Sequence, residues 1–173
     1  MNTAPSYSAL AEFGRALLKR PSLQEGLPMI SEYAKEVSGA ERCSIFIYNP
    51  NIQMLWTTLA DGTEKIMVHK DDGIVGHTVK EGKPILVNNP YDDERFLHTV
   101  DSKTGFVTEN IASIPIFDSA RRIIGVFQLL NKPGGFSKDD AKAMIFFAHY
   151  ISGYLELAML FDNEASLLNK GIE

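Results

Sequence analysis

The residues of this chain able to hold or transform a small molecule fall in three places. The first is the turn Asp72-Gly73-Ile74-Val75-Gly76, in which Asp72 reads as the N-cap of a short helix. A helix N-terminus offers free N–H groups and a partial positive charge, chemistry suited to a phosphate. Gly73 and Gly76 would let a ligand approach the backbone closely. The same pattern also describes an ordinary capped helix, and Asp71 and Asp72 oppose an anion unless their carboxylates point away. The second place is Asp101, Thr104 and Thr108, short polar side chains in a long polar stretch. They can bond sugar hydroxyls or amide edges, or they can close local turns. The third is Gln128, which by two-residue alternation shares a strand face with Ile124, Val126 and Leu130. A buried amide left without partners costs ~1–3 kcal/mol, so either a backbone group or a ligand satisfies it.

Chemistry of other kinds is poorly supplied. Cys43 alternates with core positions and reads as a small buried hydrophobe. His69, His77, His98 and His149 have no metal-site spacing, and no Ser-His-Asp or paired-carboxylate arrangement is readable. The single cysteine excludes an internal disulfide and a multi-cysteine zinc site. The 173 residues carry a net charge of −5 without a basic patch, which argues against nucleic acid as a partner. No segment reads as the ~20 apolar residues of a membrane span, and no secretory signal is visible. These features favour the cytoplasm, for a complete chain or for a fragment of a longer one.

The elements that must position these residues follow from periodicity. Ser6 can cap a helix over 7–19 with Leu10, Phe13 and Leu17 on one face. Leu23, Leu27, Ile30, Ala34 and Val37 predict a second helix over 23–38, stopped by Gly39. Strands are expected at 42–48, 54–59, 65–68 and 85–87, with a short helix from Asp72 to Gly82 between the last two. A long loop from Asn88 to Phe106 is expected to hold a helical turn near 92–97; loops of that length are usually functional or disordered. Two apolar runs, 111–117 and 123–130, flank the polar tip Asp118–Arg122 and read as a hairpin. A final helix starts at Ser137 and runs past Phe161. Met144, Ala148, Ile151, Leu155 and Ala158 form one stripe on it. Phe147, Tyr154, Phe161 and Leu168 recur every seven residues, as a second stripe or as part of one broad face. This order predicts an α+β fold: a mainly antiparallel sheet of about six strands, with the terminal helices on one side and a lidded pocket on the other.

Several motifs in this order resemble those of a GAF domain, of the subtype found in cyclic-nucleotide phosphodiesterases and bacterial adenylyl cyclases. They are Arg42-Cys43-Ser44-Ile45-Phe46, Asp72-Gly73-Ile74-Val75-Gly76-His77, the stretch Val100–Thr108, and Gly125-Val126-Phe127-Gln128-Leu129-Leu130-Asn131-Lys132. The resemblance covers residues 22–162, leaving an N-terminal helix over 1–21 and a helical extension or linker over 163–173. It implies a non-catalytic sensor that binds a small ligand, most readily cAMP or cGMP. It places Ser44 and Gln128 against the purine and Ala60 and Asp61 at the base edge. Ile74 and Val75 offer N–H groups to the cyclic phosphate, and Leu97, Asp101, Thr104 and Thr108 come from the lid. Asn131, Lys132, Phe136 and Asp140 match a structural signature with a Lys–Asp salt bridge, although Ala141 stands at its glutamate. Other departures are Ala60 for an aromatic, Leu97 for a tyrosine and Gln128 for a glutamate. The lost aromatics would weaken a stacked purine, since stacking is worth ~1–3 kcal/mol per base. The alternatives are a dimerisation module with a vestigial pocket, or a sensor of haem or another small molecule. A homodimer through residues 7–18 and 147–168, signalling to an output domain in a longer protein, completes the expectation.

Overall fold

The computed structural model describes residues 7–20, 22–60 and 65–170, giving the backbone path alone at 58–60 and 162–170. Helices α1 (Tyr7–Leu17) and α2 (Leu23–Ser38) are followed by strands β1 (Arg42–Asn49), β2 (Met54–Ala60) and β3 (Met67–His69). Helix α3 (Gly73–Glu81), strand β4 (Ile85–Val87), a 3-10 turn (Pro90–Asp92) and helix α4 (Thr99–Thr104) lead to the hairpin β5 (Ile111–Phe117) and β6 (Ile123–Leu130). Helix α5 (Lys138–Lys170) closes the chain.

Side-chain chemistry sets the element ends. The Ser22 hydroxyl accepts from Glu25 N–H at 3.3 Å and donates to the Glu25 carboxylate at 3.1 Å, and Gly39 stops α2 at φ 75°. At α5, the Ser137 hydroxyl likewise accepts from Asp140 N–H and donates to the Asp140 carboxylate, which also accepts from Ser137 N–H. The hairpin tip is held by Asp118, whose carboxylate accepts from the N–H groups of Ala120 and Arg122 and from the Arg122 guanidinium.

The six strands order as β3-β2-β1-β6-β5-β4, and every neighbouring pair is antiparallel. The short strands β3 and β4 form the edges of the sheet, and the three most apolar strands, β1, β6 and β5, all lie inside it. Alternation divides their residues between two faces. Cys43, Ile45, Ala112, Ile114, Phe127 and Leu129 meet α2 and α5 in the main core. Phe46, Val126 and Ile111 turn the other way, toward α3. Two tyrosines of α5 pin the preceding helices. The Tyr150 hydroxyl donates to the Leu10 carbonyl at 2.8 Å, and Tyr154 to that of Ser22 at 2.9 Å. Gly14 and Gly26 give them room: a Cβ there would lie 2.1 Å and 1.7 Å from the respective phenol oxygens.

Three expectations change. The helical turn placed near 92–97 is instead α4 at 99–104. Asp93 diverts the earlier stretch, because its carboxylate accepts from both the N–H and the guanidinium of Arg95 and so replaces helical bonding with a local turn. The second α5 stripe is not where the seven-residue repeat put it. Phe147 and Tyr154 are core residues, Phe161 is exposed, and the Leu168 side chain lies outside those described. Finally, Lys138–Phe161 is by length and composition apolar enough to cross a membrane. Its Met144, Ala148, Ile151, Leu155 and Ala158 are nevertheless buried in the main core.

Candidate functional site

The face of the sheet turned away from α5 carries a polar row. Ser44 on β1 pairs in register with Gln128 on β6 and with Ala60 on β2, and Gln128 pairs with Ser113 on β5. Ser113 is fully buried and its hydroxyl accepts from Thr78 of α3 at 2.7 Å, which ties the helix over the sheet. Gln128 is half-buried, and its amide has no hydrogen bond among the described residues. Above this row lies a cavity of about 90 Å³.

Helix α3 points its first turn at the cavity. Gly73, Ile74 and Val75 line it. The first helical bond runs from Gly76 N–H to the Asp72 carbonyl at 3.1 Å, so the N–H groups of Gly73, Ile74 and Val75 have no partner within the helix. Asp72 is exposed and its carboxylate makes no capping bond, so the expected conflict between this residue and an anion is relieved. The glycines serve a closer neighbour than a ligand. Gly73 has φ +68°, and a Cβ there would lie 2.9 Å from Leu97 Cδ1. A Cβ at Gly76 would lie 2.7 Å from the Lys70 carbonyl oxygen. Leu97 thus sits on the electropositive end of α3, over its unpaired N–H groups.

The lid is held by its own polar residues. The buried Asp101 carboxylate accepts from the Tyr91 hydroxyl at 2.6 Å, from Thr108 N–H at 2.8 Å and from the Thr108 hydroxyl at 2.8 Å. The Tyr91 phenol is pushed up first by that bond to Asp101, then by burial. Thr104 donates to the Val100 carbonyl at 2.9 Å. Of the two roles open to Asp101, Thr104 and Thr108 in the sequence, these bonds are the turn-closing one, although all three residues line the cavity.

Ser44, Ile74, Val75, Leu97, Asp101, Thr104, Thr108 and Gln128 therefore meet at one cavity. Ala60 lies next to Ser44 in register but its side chain is outside the described set, as is all of Asp61. The sequence reading missed Arg42, Phe96 and Phe106. Arg42 precedes Ser44 by two residues on the same strand face, so alternation alone could have found it. Its guanidinium lies 3.7 Å from the Phe106 ring centroid, and no acidic side chain pairs with it among the described residues. Phe96 and Phe106 supply the aromatic surface that Ala60 lacks. Cys43 is fully buried on the opposite face, and none of the four histidines lines the cavity. No group of three or more metal-binding side chains occurs among the described residues.

Beyond the cavity, the signature residues brace one end of the sheet. Lys132 pairs with Asp140, both largely buried. Asn131, at φ 57°, accepts from Glu109 N–H and donates to the Val107 carbonyl. Phe136 exchanges two hydrogen bonds with the Asn88 amide.

A family profile described as GAF domain matches residues 22–155. The chain belongs to the GAF domain family. This GAF domain is 30% identical over 148 residues to a probable 3',5'-cyclic phosphodiesterase, pde-5, of Caenorhabditis elegans, covering 77% of the chain and 20% of that protein. It is 35% identical over 101 residues to the dual 3',5'-cyclic-AMP and -GMP phosphodiesterase 11 of Drosophila melanogaster, covering 57% of the chain and 7% of that protein. The chain thus spans a fifth or less of the length of these relatives. Among solved structures, the GAF domain of a phosphoenolpyruvate-protein phosphotransferase from Coxiella burnetii superposes with a TM-score of 0.77 at 16% identity, covering 89% of this chain and 94% of that one. Free methionine-R-sulfoxide reductase from Neisseria meningitidis, in complex with its substrate, gives 0.74 at 14% identity, covering 91% and 95%. At these identities the likeness is one of fold.

Proposed function

We propose that this GAF domain is a non-catalytic sensory module that binds a small anionic ligand, a cyclic nucleotide, and signals to an output domain or a dimer partner. One observation carries the reading: the unpaired N–H groups of α3, the unpaired Gln128 amide and the Arg42 guanidinium converge on one cavity. Free donors and a cation in an otherwise apolar enclosure suit a phosphate and a base edge. Ile74 and Val75 take the phosphate and Ser44 and Gln128 the purine; the base-edge role expected of Ala60 and Asp61 falls on side chains outside the described set. Phe106 and Phe96 flank the ligand, and Asp101, Thr104 and Thr108 shape the lid. The phosphodiesterase relatives support a cyclic nucleotide as the ligand class. The main-core packing of α5 favours a cytoplasmic domain over a membrane-spanning one.

The cavity of about 90 Å³ is below the ~300–1,000 Å³ of ordinary ligand sites. Binding therefore requires Leu97 and the lid to withdraw, and this movement is the signal. Calorimetry with cAMP and cGMP tests the reading. Wild type is expected to bind at least one of them, and Gln128→Ala to weaken it by ~1–3 kcal/mol. Leu97→Ala should tighten binding by clearing the α3 terminus. Absence of binding at millimolar nucleotide in both wild type and Leu97→Ala refutes the cyclic-nucleotide reading. The small cavity and the Leu97 plug favour a second reading, a vestigial pocket in a dimerisation module, which that outcome would support.

A further inference from the structure

Three asparagine side chains tie the lid to the segment that leads into α5. A carboxamide carries a donor and an acceptor side by side, so it can grip a peptide backbone with two bonds at once. Asn131 accepts from Glu109 N–H at 2.7 Å and donates to the Val107 carbonyl at 2.9 Å. Asn110 accepts from Lys132 N–H at 2.8 Å and donates to the Lys132 carbonyl at 3.0 Å. At the other end of the lid, Asn88 accepts from Phe136 N–H at 2.9 Å and donates to the Phe136 carbonyl at 3.1 Å. Gly135 makes room for this last grip, since a Cβ there would lie 2.7 Å from Asn88 Oδ1.

These grips meet the lid's own lock. Asp101 holds Thr108 by its N–H and hydroxyl, and the two groups that Asn131 holds flank Thr108 on either side. Beyond the grips, the 131–136 segment is joined to α5 in two ways. Lys132 pairs with Asp140 in the first turn of α5. The Phe136 side chain belongs to the main core that Met144 and Phe147 of α5 also line.

We propose that the three asparagines are a relay, through which opening of the lid loosens the start of α5 and loosening of α5 opens the lid. The lid tail cannot leave with Asn131 and Asn110 still bonded unless the 131–136 segment moves too. That segment cannot move without disturbing the Lys132–Asp140 pair and the seat of Phe136 in the core. A coupling of this kind acts equally in both directions. The relay deepens the sensory reading by naming the path from the pocket to α5. It rests on that reading only in taking the lid as the moving part, whatever ligand moves it.

Hydrogen exchange on the 173-residue chain tests the relay without any ligand. Asp101→Ala frees the lid from Thr108. Amides 141–145 of α5, which none of the three asparagines touches, should then exchange faster by about fivefold or more, the lower end of coupling between sites. Asn131→Gly removes one grip and keeps φ 57° accessible, because glycine adopts left-handed backbone freely. Adding Asp101→Ala to that variant should still speed the lid but leave amides 141–145 as they were. Asn88→Ala, a change at an exposed residue, should weaken the same transfer. In the reverse direction, Ser137→Ala frays the start of α5 and should speed the Ser102 and Gly105 amides, which are bonded within α4. Circular dichroism matching wild type shows that each variant is folded. Transfer in neither direction overturns the proposal. So does transfer that persists when Asn131→Gly and Asn88→Ala are combined. Calorimetry with cAMP and cGMP decides the ligand separately.

Discussion

Replacing Asp101 by alanine isolates what holds the lid. The carboxylate accepts three hydrogen bonds, from the Tyr91 hydroxyl, Thr108 N–H and the Thr108 hydroxyl. Tyr91 is half-exposed, so water can replace that bond at small cost. Thr108 is 2% exposed, and its N–H and hydroxyl would be left without an acceptor. An orphaned buried donor costs ~1–3 kcal/mol, and bonds to a charged acceptor lie at the upper end. Asp101→Ala should therefore lower the free energy of lid opening by about 2–3 kcal/mol. At 1.4 kcal/mol per decade, that is roughly a 30- to 150-fold rise in the open population. Hydrogen exchange reads this directly. Amides over 90–108 should exchange faster by that factor, while those of β1, β5 and β6 keep their protection. Thr108→Val removes one of the three bonds and should give a smaller acceleration over the same residues. Equal acceleration in the lid and the central strands would show that Asp101 supports the whole fold. No acceleration anywhere would show that its bonds do not hold the lid.

Acid stability follows from three other carboxylates. Arg95 holds Asp93 below the ordinary range, and the Arg122 N–H and guanidinium do the same for Asp118. Burial pushes Asp140 up, but Lys132 and Ser137 outweigh it and leave it lowered. Depressed folded values mean that the unfolded chain takes up protons first. Urea-unfolding stability should thus be level from pH 7 to 5 and fall below about pH 4, the unfolded carboxylate range; a level profile down to pH 3 would contradict this. Gly26→Ala should destabilise α2 although alanine is the better helix former by ~1 kcal/mol. The added Cβ would stand 1.7 Å from the Tyr154 hydroxyl oxygen and 2.4 Å from its ring carbon. A higher denaturation midpoint for this variant would show that Tyr154 yields freely.

The sheet was readable because two adjacent residues, Phe127 and Gln128, need opposite environments, and strand alternation supplies both. The helix ends were readable at Ser137, Gly39 and Gly82, where a short side chain or a missing one decides the backbone locally. Which face of α5 turns outward was not. The helix is apolar almost all round, with Phe146 and Phe147 side by side, so composition does not say which faces inward. A strict seven-residue repeat also drifts by about 20° per heptad on a straight helix. That drift carries Phe161 to the surface, although Phe147 and Tyr154 are core. The cavity residues came from alternation and from the resemblance, but their bonding did not. Whether Asp101 serves a ligand or Thr108 depends on how the chain folds back between them, which no spacing records. Leu97 over the α3 terminus is likewise a contact across 24 positions, outside any local pattern.

Tyr150 carries two obligations at once. Its hydroxyl occupies the notch at Gly14 and bonds the Leu10 carbonyl, while the residue stays 37% exposed on the outer side of α5. A side chain added at Gly14 displaces the phenol, and loss of the phenol removes the anchor of α1. Neither position can vary without the other, so for a drifting sequence the two behave as one character written in two places 136 residues apart. Among single changes at position 150, phenylalanine keeps the ring but gives up the Leu10 bond. The freedom of this outer surface to diversify is therefore set from inside the domain, by a helix it does not belong to.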